Sequence, residues 1–318
     1  SGNEITGNHI HDNDSDTSGI HVGGGREEEV SFSELTFSNN LIENNGDYGI
    51  YVYRVEDGTL TVSENEITGN SYGLYIDYIY NGTVTVEGNT LSDNNSEGIY
   101  VDEISEGIQE EEPGESVLSI TNNTISGNGE GGDERTGIYL EEVEEGTAVA
   151  INLNAITGNG TGLYVDDVVD NEETEEEPEP IDATNNWWGS ASGPENEENE
   201  GGEGDEVRGF VDFNPWLASL NLSGNAPVVG RILNSDGTAV GSDTGVKIEF
   251  KAEGTNPADA DTKNIGSENQ ALYEVDIDGP NAGITTVTGT ALFANKDSTL
   301  TGELEVEGFA PVVESGGG

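Results

Sequence analysis

Four carboxylates recur at one place in a repeated pattern, directly after a Gly-(Ile/Leu)-aromatic-aliphatic tetrad: Asp77, Asp102, Glu141 and Asp166. Glu103, Glu142 and Asp167 follow the last three. Carboxylates do two relevant kinds of chemistry. As pairs at a defined separation they hydrolyse glycosidic bonds. As clusters of hard oxygens they hold cations such as Ca²⁺. A catalytic site is a single local constellation, whereas this row returns with every repeat, so it reads as structural. Stacked like charges repel and draw in counter-ions. Asp77, Asp102, Glu141, Asp166 and Asp167 are therefore the expected positions for structural Ca²⁺, or for Na⁺ or K⁺ from brine.

The tetrads supply a second row. Their aromatic position holds Tyr51, Tyr75, Tyr100, Tyr139 and Tyr164, with His21 in the first. Ile50 and Val52 flank Tyr51, so alternation turns the tyrosine outward when they turn in. Such a stripe offers an amphipathic face to a protein or sugar, or stacks on itself to brace a sheet. His9, His11 and His21 are a weaker candidate metal set, and a loosely held first turn is the expected reading. Asn-x-Ser/Thr triplets, which accept glycans in extracellular proteins, begin at Asn13, Asn81, Asn94, Asn122, Asn159 and Asn221.

The elements that position these rows follow from internal repeats. Before each tetrad lies Asn-x-(Ile/Leu)-x-x-Asn: Asn3 to Asn8, then Asn40 to Asn45, Asn65 to Asn70, Asn89 to Asn94, Asn123 to Asn128 and Asn154 to Asn159. An alternating strand precedes the Asn segment, as in Thr59-Leu60-Thr61-Val62 and Thr83-Val84-Thr85-Val86. Three short period-two runs per repeat, separated by Gly and Asn turns, give a parallel β-helix in which each rung covers the apolar edge of the last. In the third repeat Leu60, Val62, Ile67, Leu74, Ile76 and Ile79 are expected inside. The repeated Asn residues read as structural, because Asn tolerates turn conformations and stacks amide on amide. On this assignment the chain enters at an Asn segment without a preceding strand, leaving an open rung for another copy to cover.

The array ends near Ile181, in Asn185-Asn186-Trp187-Trp188-Gly189 and, further on, Pro215-Trp216-Leu217. Trp187, Trp188 and Trp216 are expected to plug the last rung, with a sugar platform as the rival reading. After Asn221 to Pro227 the pattern changes to longer hairpin-linked strands, giving an all-β chain of two domains. Residues 1–220 form the capped β-helix, and residues 225–318 form a small immunoglobulin-like β-sandwich. Where rungs lengthen, the inserts are acidic, as in Glu110-Glu111-Glu112-Pro113 and Glu175-Glu176-Glu177-Pro178. The Ser315 to Gly318 tail reads as a linker.

Charge narrows the function. The 318 residues carry 9 Lys+Arg against 65 Asp+Glu, a net −56. That excludes phosphate-tracking nucleic-acid binding and docking on anionic lipid, and no apolar run approaches a membrane span. With no Cys there is no disulfide or thiolate site. All four Lys lie beyond residue 225, so the charge burden falls on the helix. Such self-repulsion is tolerable in molar salt, where the Debye length falls to about 3 Å. Ser1-Gly2-Asn3 opens a chain without Met, which is expected of a processed product or a fragment.

With these residues in view, residues 1–220 resemble the right-handed parallel β-helix repeat family of the pectin-lyase-like superfamily. Within it they look like archaeal, halophilic-type cell-surface proteins, whose arrays finish as Asn185 to Gly189, Gly193-Pro194 and Pro215 to Leu217 do here. The resemblance implies an extracellular location and leaves activity open, since the family holds lyases, hydrolases, tailspikes and non-enzymatic surface proteins. Lyases of the family use Arg or Lys as base, and the helix holds only Arg26, Arg54, Arg135 and Arg208. The expected function is a non-catalytic structural or adhesive subunit, assembling head-to-tail with itself or contacting surface proteins and glycans. A polysaccharide lyase or glycoside hydrolase and a viral tailspike are the alternatives.

Overall fold

The structure is a computed structural model that describes residues 2–23, 32–105, 115–129, 136–169, 178–224, 227–241, 244–254, 261–273 and 284–307. The acidic inserts at 110–113 and 175–177, Arg26, Arg135 and the tail at 315–318 lie outside the described residues. The chain divides into two compact units, Ser1–Leu217 and Ala218–Gly318.

The first unit is a parallel β-helix of three sheets. The first sheet stacks Asn3–Thr6, Glu34–Ser38, Thr59–Ser63, Thr83–Glu87, Val117–Thr121, Ala148–Asn152, Ile181–Asp182 and Val211–Asp212. The second stacks the three-residue strands His9–His11, Leu41–Glu43, Glu66–Thr68, Thr90–Ser92, Thr124–Ser126 and Ala155–Thr157. The third stacks Ile20–Val22, Tyr48–Glu56, Tyr72–Tyr80, Ile99–Ser105, Thr136–Glu144, Thr161–Val169 and Glu206–Arg208. The pairings within them are parallel, and residues sit over their counterparts in the next turn, with one register shift where Thr161–Val169 meets Glu206–Arg208. Phe37, Val62, Val86, Ile120 and Ile151 form one such column, all fully buried. Leu60, Val62, Ile67, Leu74, Ile76 and Ile79 are likewise fully inside. Each such side chain contributes roughly 1.5–3 kcal/mol by leaving water.

The Asn residues tie turn to turn. Asn40, Asn65, Asn89, Asn123 and Asn154 each donate both their backbone N–H and one Nδ2 proton to the Oδ1 of the next Asn, ending on Asn186, at 2.8 to 3.1 Å. The other Nδ2 proton reaches a carbonyl of the preceding turn, as from Asn89 to Val62 at 2.8 Å. A second ladder runs through Asn13, Asn45, Asn70, Asn94, Asn128 and Asn159, and closes on Asp205.

The first turn departs from the expected register. Asn8, not Asn3, enters the first ladder, donating to Asn40 Oδ1 at 3.0 Å. Asn13 takes the place expected of Asn8. Asn3 instead lies in a first-sheet strand opposite Leu35, with Ile5 opposite Phe37. Asn3, Asn8 and Asn13 are five residues apart, so the template fits twice. Placing both Ile5 and Ile10 over apolar residues, Phe37 and Ile42, decides for the later one. The first turn therefore has its own preceding strand, and the expected entry without one is corrected.

At the far end Trp187 bridges to Ala155, and its N–H donates to Asn154 O at 2.8 Å. Trp188 is fully buried in the last turn's core position. Trp216 lies over Gly193, whose positive φ of 81° holds the chain where any Cβ would come 2.5 Å from the indole. Its Nε1–H donates to Ala191 O at 3.1 Å.

The second unit has a three-stranded sheet, Leu217–Gly224, Val228–Asn234 and Ala271–Tyr273, and a four-stranded one, Asp261–Asn264, Lys247–Gly254, Ile284–Phe293 and Lys296–Glu307. Phe250 of the second stacks on Tyr273 of the first at 5.0 Å, inside a small sandwich.

Replacing Asn89 with Ala strands the Asn65 backbone N–H inside the protein and removes the amide bonds that Asn89 makes to both neighbouring turns. The variant should lose roughly 3 kcal/mol, read by urea unfolding with Trp fluorescence. All three Trp lie in the first unit, so the signal reports that unit. Asn95→Ala, at an exposed site of the same unit, should stay within about 0.5 kcal/mol; equal losses would contradict the ladder's role.

Candidate functional site

The outward face of the third sheet carries the chemistry. In Tyr72–Tyr80 the side chains alternate as far as Asp77, with Leu74 and Ile76 inside. Two successive residues, Asp77 and Tyr78, then stay half-exposed before Ile79 turns in. That break repeats in neighbouring turns and opens three outward columns instead of two. The tyrosine column reads His21, Tyr51, Tyr75, Tyr100, Tyr139, Tyr164 and then Arg208. Asp77, Asp102, Glu141 and Asp166 make the second. The third reads Arg54, Tyr78, Glu103, Glu142 and Asp167.

The tyrosines stack. Tyr75 and Tyr100 lie nearly parallel with centroids 4.4 Å apart, as do Tyr139 and Tyr164 at 5.1 Å. Tyr100 meets Tyr139 edge-on at 5.1 Å. Two further rings join them, Tyr48 at 4.8 Å and Tyr72 at 5.4 Å from Tyr75. The sequence reading missed this pair, although each directly precedes the tetrad glycine.

Tyrosines and carboxylates form one network. Tyr51 donates to Asp77 at 2.7 Å, Tyr100 to Glu141, and both Tyr139 and Tyr164 to Asp166 at 3.0 and 2.6 Å. Tyr80 donates to Glu103 at 2.9 Å. Partial burial and these acceptors push the Tyr51, Tyr100 and Tyr139 hydroxyls well up, so they stay protonated donors. The carboxylates still crowd one another. Asp102 is pushed up to about 6, by burial first and then by Glu141, Asp77 and Glu103. Glu142 is raised by burial and by Glu103 and Asp167.

The structure brings the expected cation positions into line without making a ligand shell of them. Asp77, Asp102, Glu141 and Asp166 come from four different turns, and Asp167 lies in the adjacent column. Among the described residues no three His, Asp or Glu side chains are placed to share a metal ion. Of the histidines, His9 and His11 come together with ring centroids 4.2 Å apart, but His21 does not join them. His9 contacts Glu43 at 2.6 Å and His11 contacts Asp12 at 2.9 Å, while His21 packs on Tyr51.

The glycan positions need correction. Asn94 and Asn159 are fully buried rungs of the second ladder, so their Nδ2 atoms are out of reach of any sugar. Asn13 spends its Nδ2 on Asn45 at 2.6 Å. Asn81 donates to Asp57 at 2.5 Å, and Asn122 is half-buried in a left-handed turn. Asn221 is exposed.

Where the third sheet ends, a cleft of about 630 Å³ is lined by Glu197, Arg208, Phe210 and Asp212 among others. Arg208 pairs with Glu206 at 2.7 Å, and Phe210 is 48% exposed.

Three in-register parallel sheets coiled about an apolar interior define a β-helix repeat protein. Residues 1–172 match the family described as right handed beta helix region, and the chain belongs to that family. No curated protein and no solved structure matches the chain. Among the described residues no helix is long and apolar enough to cross a membrane.

The Asp102 shift has a sign. Its folded value lies above the unfolded one, so the folded state binds the extra proton. The stabilisation is fully present below about pH 4 and is lost as pH rises through about 6. Asp102→Asn should therefore raise the melting temperature of the first unit at pH 7.5 and change it little at pH 4. Equal shifts at the two pH values would show that Asp102 carries no charge strain.

Proposed function

We propose that this protein is a non-catalytic structural and adhesive element of a halophile's cell surface, an acidic β-helical scaffold that presents the third-sheet face to partners. One observation carries the reading: tyrosines and carboxylates recur in register from turn to turn instead of converging on one point. A reaction needs a nucleophile, an acid and a stabiliser gathered within reach of one bond. Here the hydroxyls of Tyr51, Tyr80, Tyr100, Tyr139 and Tyr164 are committed to neighbouring carboxylates, and residues 1–217 contain no Lys. Arg54, at the head of the third column, is bound to Glu56 at 3.2 Å. Repetition suits contact, because each turn offers the same groups again.

The charge supports the salt habitat. Columns of like charge about 4.8 Å apart are tolerable when mobile cations fill the space around them. Sodium, potassium or calcium ions then act as an atmosphere along the columns. Association with further copies belongs to this reading as self-assembly of a repeating surface. Trp188 plugs the last turn of the coil, so contact along the side of the stack suits the proposal better than extension from that end.

The cleft beside Arg208 and Phe210 favours one second reading, a polysaccharide-active enzyme. Incubation with acidic and neutral polysaccharides separates the two. The scaffold reading expects no new reducing ends and no unsaturated products, and steady release of either would replace it with the enzymatic one. The habitat has its own test. The urea midpoint of the first unit should climb continuously from low salt to about 1 M, as the Debye length shrinks to about 3 Å. A flat or falling midpoint would remove the halophile assignment.

A further inference from the structure

The first strand of the second sheet, His9–His11, sets two imidazoles on one face, because residues two apart on a strand point the same way. Their ring centroids lie 4.2 Å apart, with the planes tilted by 32°. A carboxylate holds each ring at one nitrogen. His9 Nε2 lies 2.6 Å from Glu43 Oε1, and His11 Nδ1 lies 2.9 Å from Asp12 Oδ2. Glu43 belongs to the next turn and stands opposite His11, so its bond to His9 crosses the pair. An ionised carboxylate only accepts, so the ring nitrogen facing it carries the proton. In the neutral imidazole the other nitrogen then carries a lone pair: Nδ1 of His9 and Nε2 of His11. Both side chains are about half exposed. The pair is confined to one turn, since the same columns continue as Leu41 and Glu43, then as Glu66 and Thr68. It is a single local constellation, unlike the tyrosine and carboxylate columns.

From this geometry we infer that His9 and His11 form a two-nitrogen clamp for a divalent transition-metal ion of the Zn²⁺, Ni²⁺ or Cu²⁺ class, with Glu43 and Asp12 as its outer carboxylates. Imidazole suits these ions, whereas Ca²⁺ and Mg²⁺ take oxygen ligands. A metal-binding histidine ordinarily gives its second nitrogen to a carboxylate, which fixes the tautomer and makes the ligand more basic. Both rings already have that partner. Zn–N bonds of about 2.0–2.1 Å in a tetrahedral shell need the two nitrogens about 3.4 Å apart. Ring centres 4.2 Å apart bring that span within reach of a side-chain rotation. No third His, Asp or Glu is placed to share the ion among the described residues, so water fills its remaining positions. The clamp is therefore an open site rather than a closed four-ligand one. This inference goes beyond the scaffold reading and does not depend on it.

The test is a Zn²⁺ titration of the full chain in about 1 M NaCl with Ca²⁺ in excess, followed by NMR of the imidazole rings. Salt of that strength shortens the Debye length to about 3 Å, and Ca²⁺ competes for the carboxylates, so the ring signals report nitrogen ligation. The chain has three His. The His9 and His11 signals should move together and saturate at one equivalent, while His21, packed on Tyr51, stays in place. His9→Gln and His11→Gln should each weaken binding at least about tenfold, and Glu43→Gln should cost about tenfold through the lost outer partner. Glu303→Gln, which removes one exposed charge of the second unit, should leave the affinity unchanged. Ring signals that stay still, three that move alike, or equal affinity in Glu43→Gln and Glu303→Gln would each overturn the proposal. The titration of the unaltered chain needs no variant to fold.

Discussion

Each turn of the first unit is fixed to the next by an amide that both accepts and donates. An Asn side chain takes two protons from the turn before it and gives one to the turn after it, and this exchange repeats from Asn8 to Asn186 and from Asn13 to Asn159. The exchange permits no slip. Moving one turn by a single residue would bury an amide without partners and put every inward side chain outside. Register is therefore held from turn to turn as far as the Thr161–Val169 strand, and whatever occupies a position in one turn faces the same position in the next, about 4.8 Å away. Inside, that rule favours columns of Ile, Val and Leu. Outside, it forces like onto like whether or not the pairing is favourable. Stacked tyrosines gain from it. Stacked carboxylates lose, and the raised Asp102 and Glu142 record the loss.

A ladder of this kind must also stop. Its last member has to accept protons without needing a further turn to donate to, and Asp205 meets that need. The carboxylate takes the Gly158 and Asn159 backbone N–H groups at 2.7 and 2.8 Å and the Asn159 amide at 2.9 Å. Burial raises its pKa, and these three donors oppose the rise. A carboxylate here does what Asn does elsewhere, minus the donating half. Trp188 ends the apolar column in the same place, so the polar and the apolar stacks are closed together.

Much of this was legible in the residues. Period-two alternation assigned Leu60, Val62 and Ile67 to the interior, because a parallel coil buries one face of every strand. The repeated tetrads put the tyrosines outside for the same reason. What stayed hidden depends on contacts between turns. The spacing of Asn3, Asn8 and Asn13 admits two registers, and only the partner turn selects one. Asn94 and Asn159 carry glycan-acceptor triplets, yet the ladder buries them. Asp205 lies 46 residues beyond the Asn159 backbone N–H it receives, too far for any local pattern to reveal. The third outward column, with its bond from Tyr80 to Glu103, arises from the break in alternation after Asp77, which a strict two-residue period does not anticipate.

Function follows from the same constraint. The proposed scaffold role rests on it, because a stack that repeats its outer groups offers the same contacts from turn to turn. The most direct measurement of in-register stacking is amide hydrogen exchange at Asn40, Asn65, Asn89, Asn123 and Asn154, whose backbone N–H groups bond to the next side chain rather than to a neighbouring strand. These amides should be among the slowest in the first unit and should exchange only when the whole unit unfolds. Exchange as fast as that of the edge strand Asn3–Thr6 would mean that the ladder does not hold the turns in register.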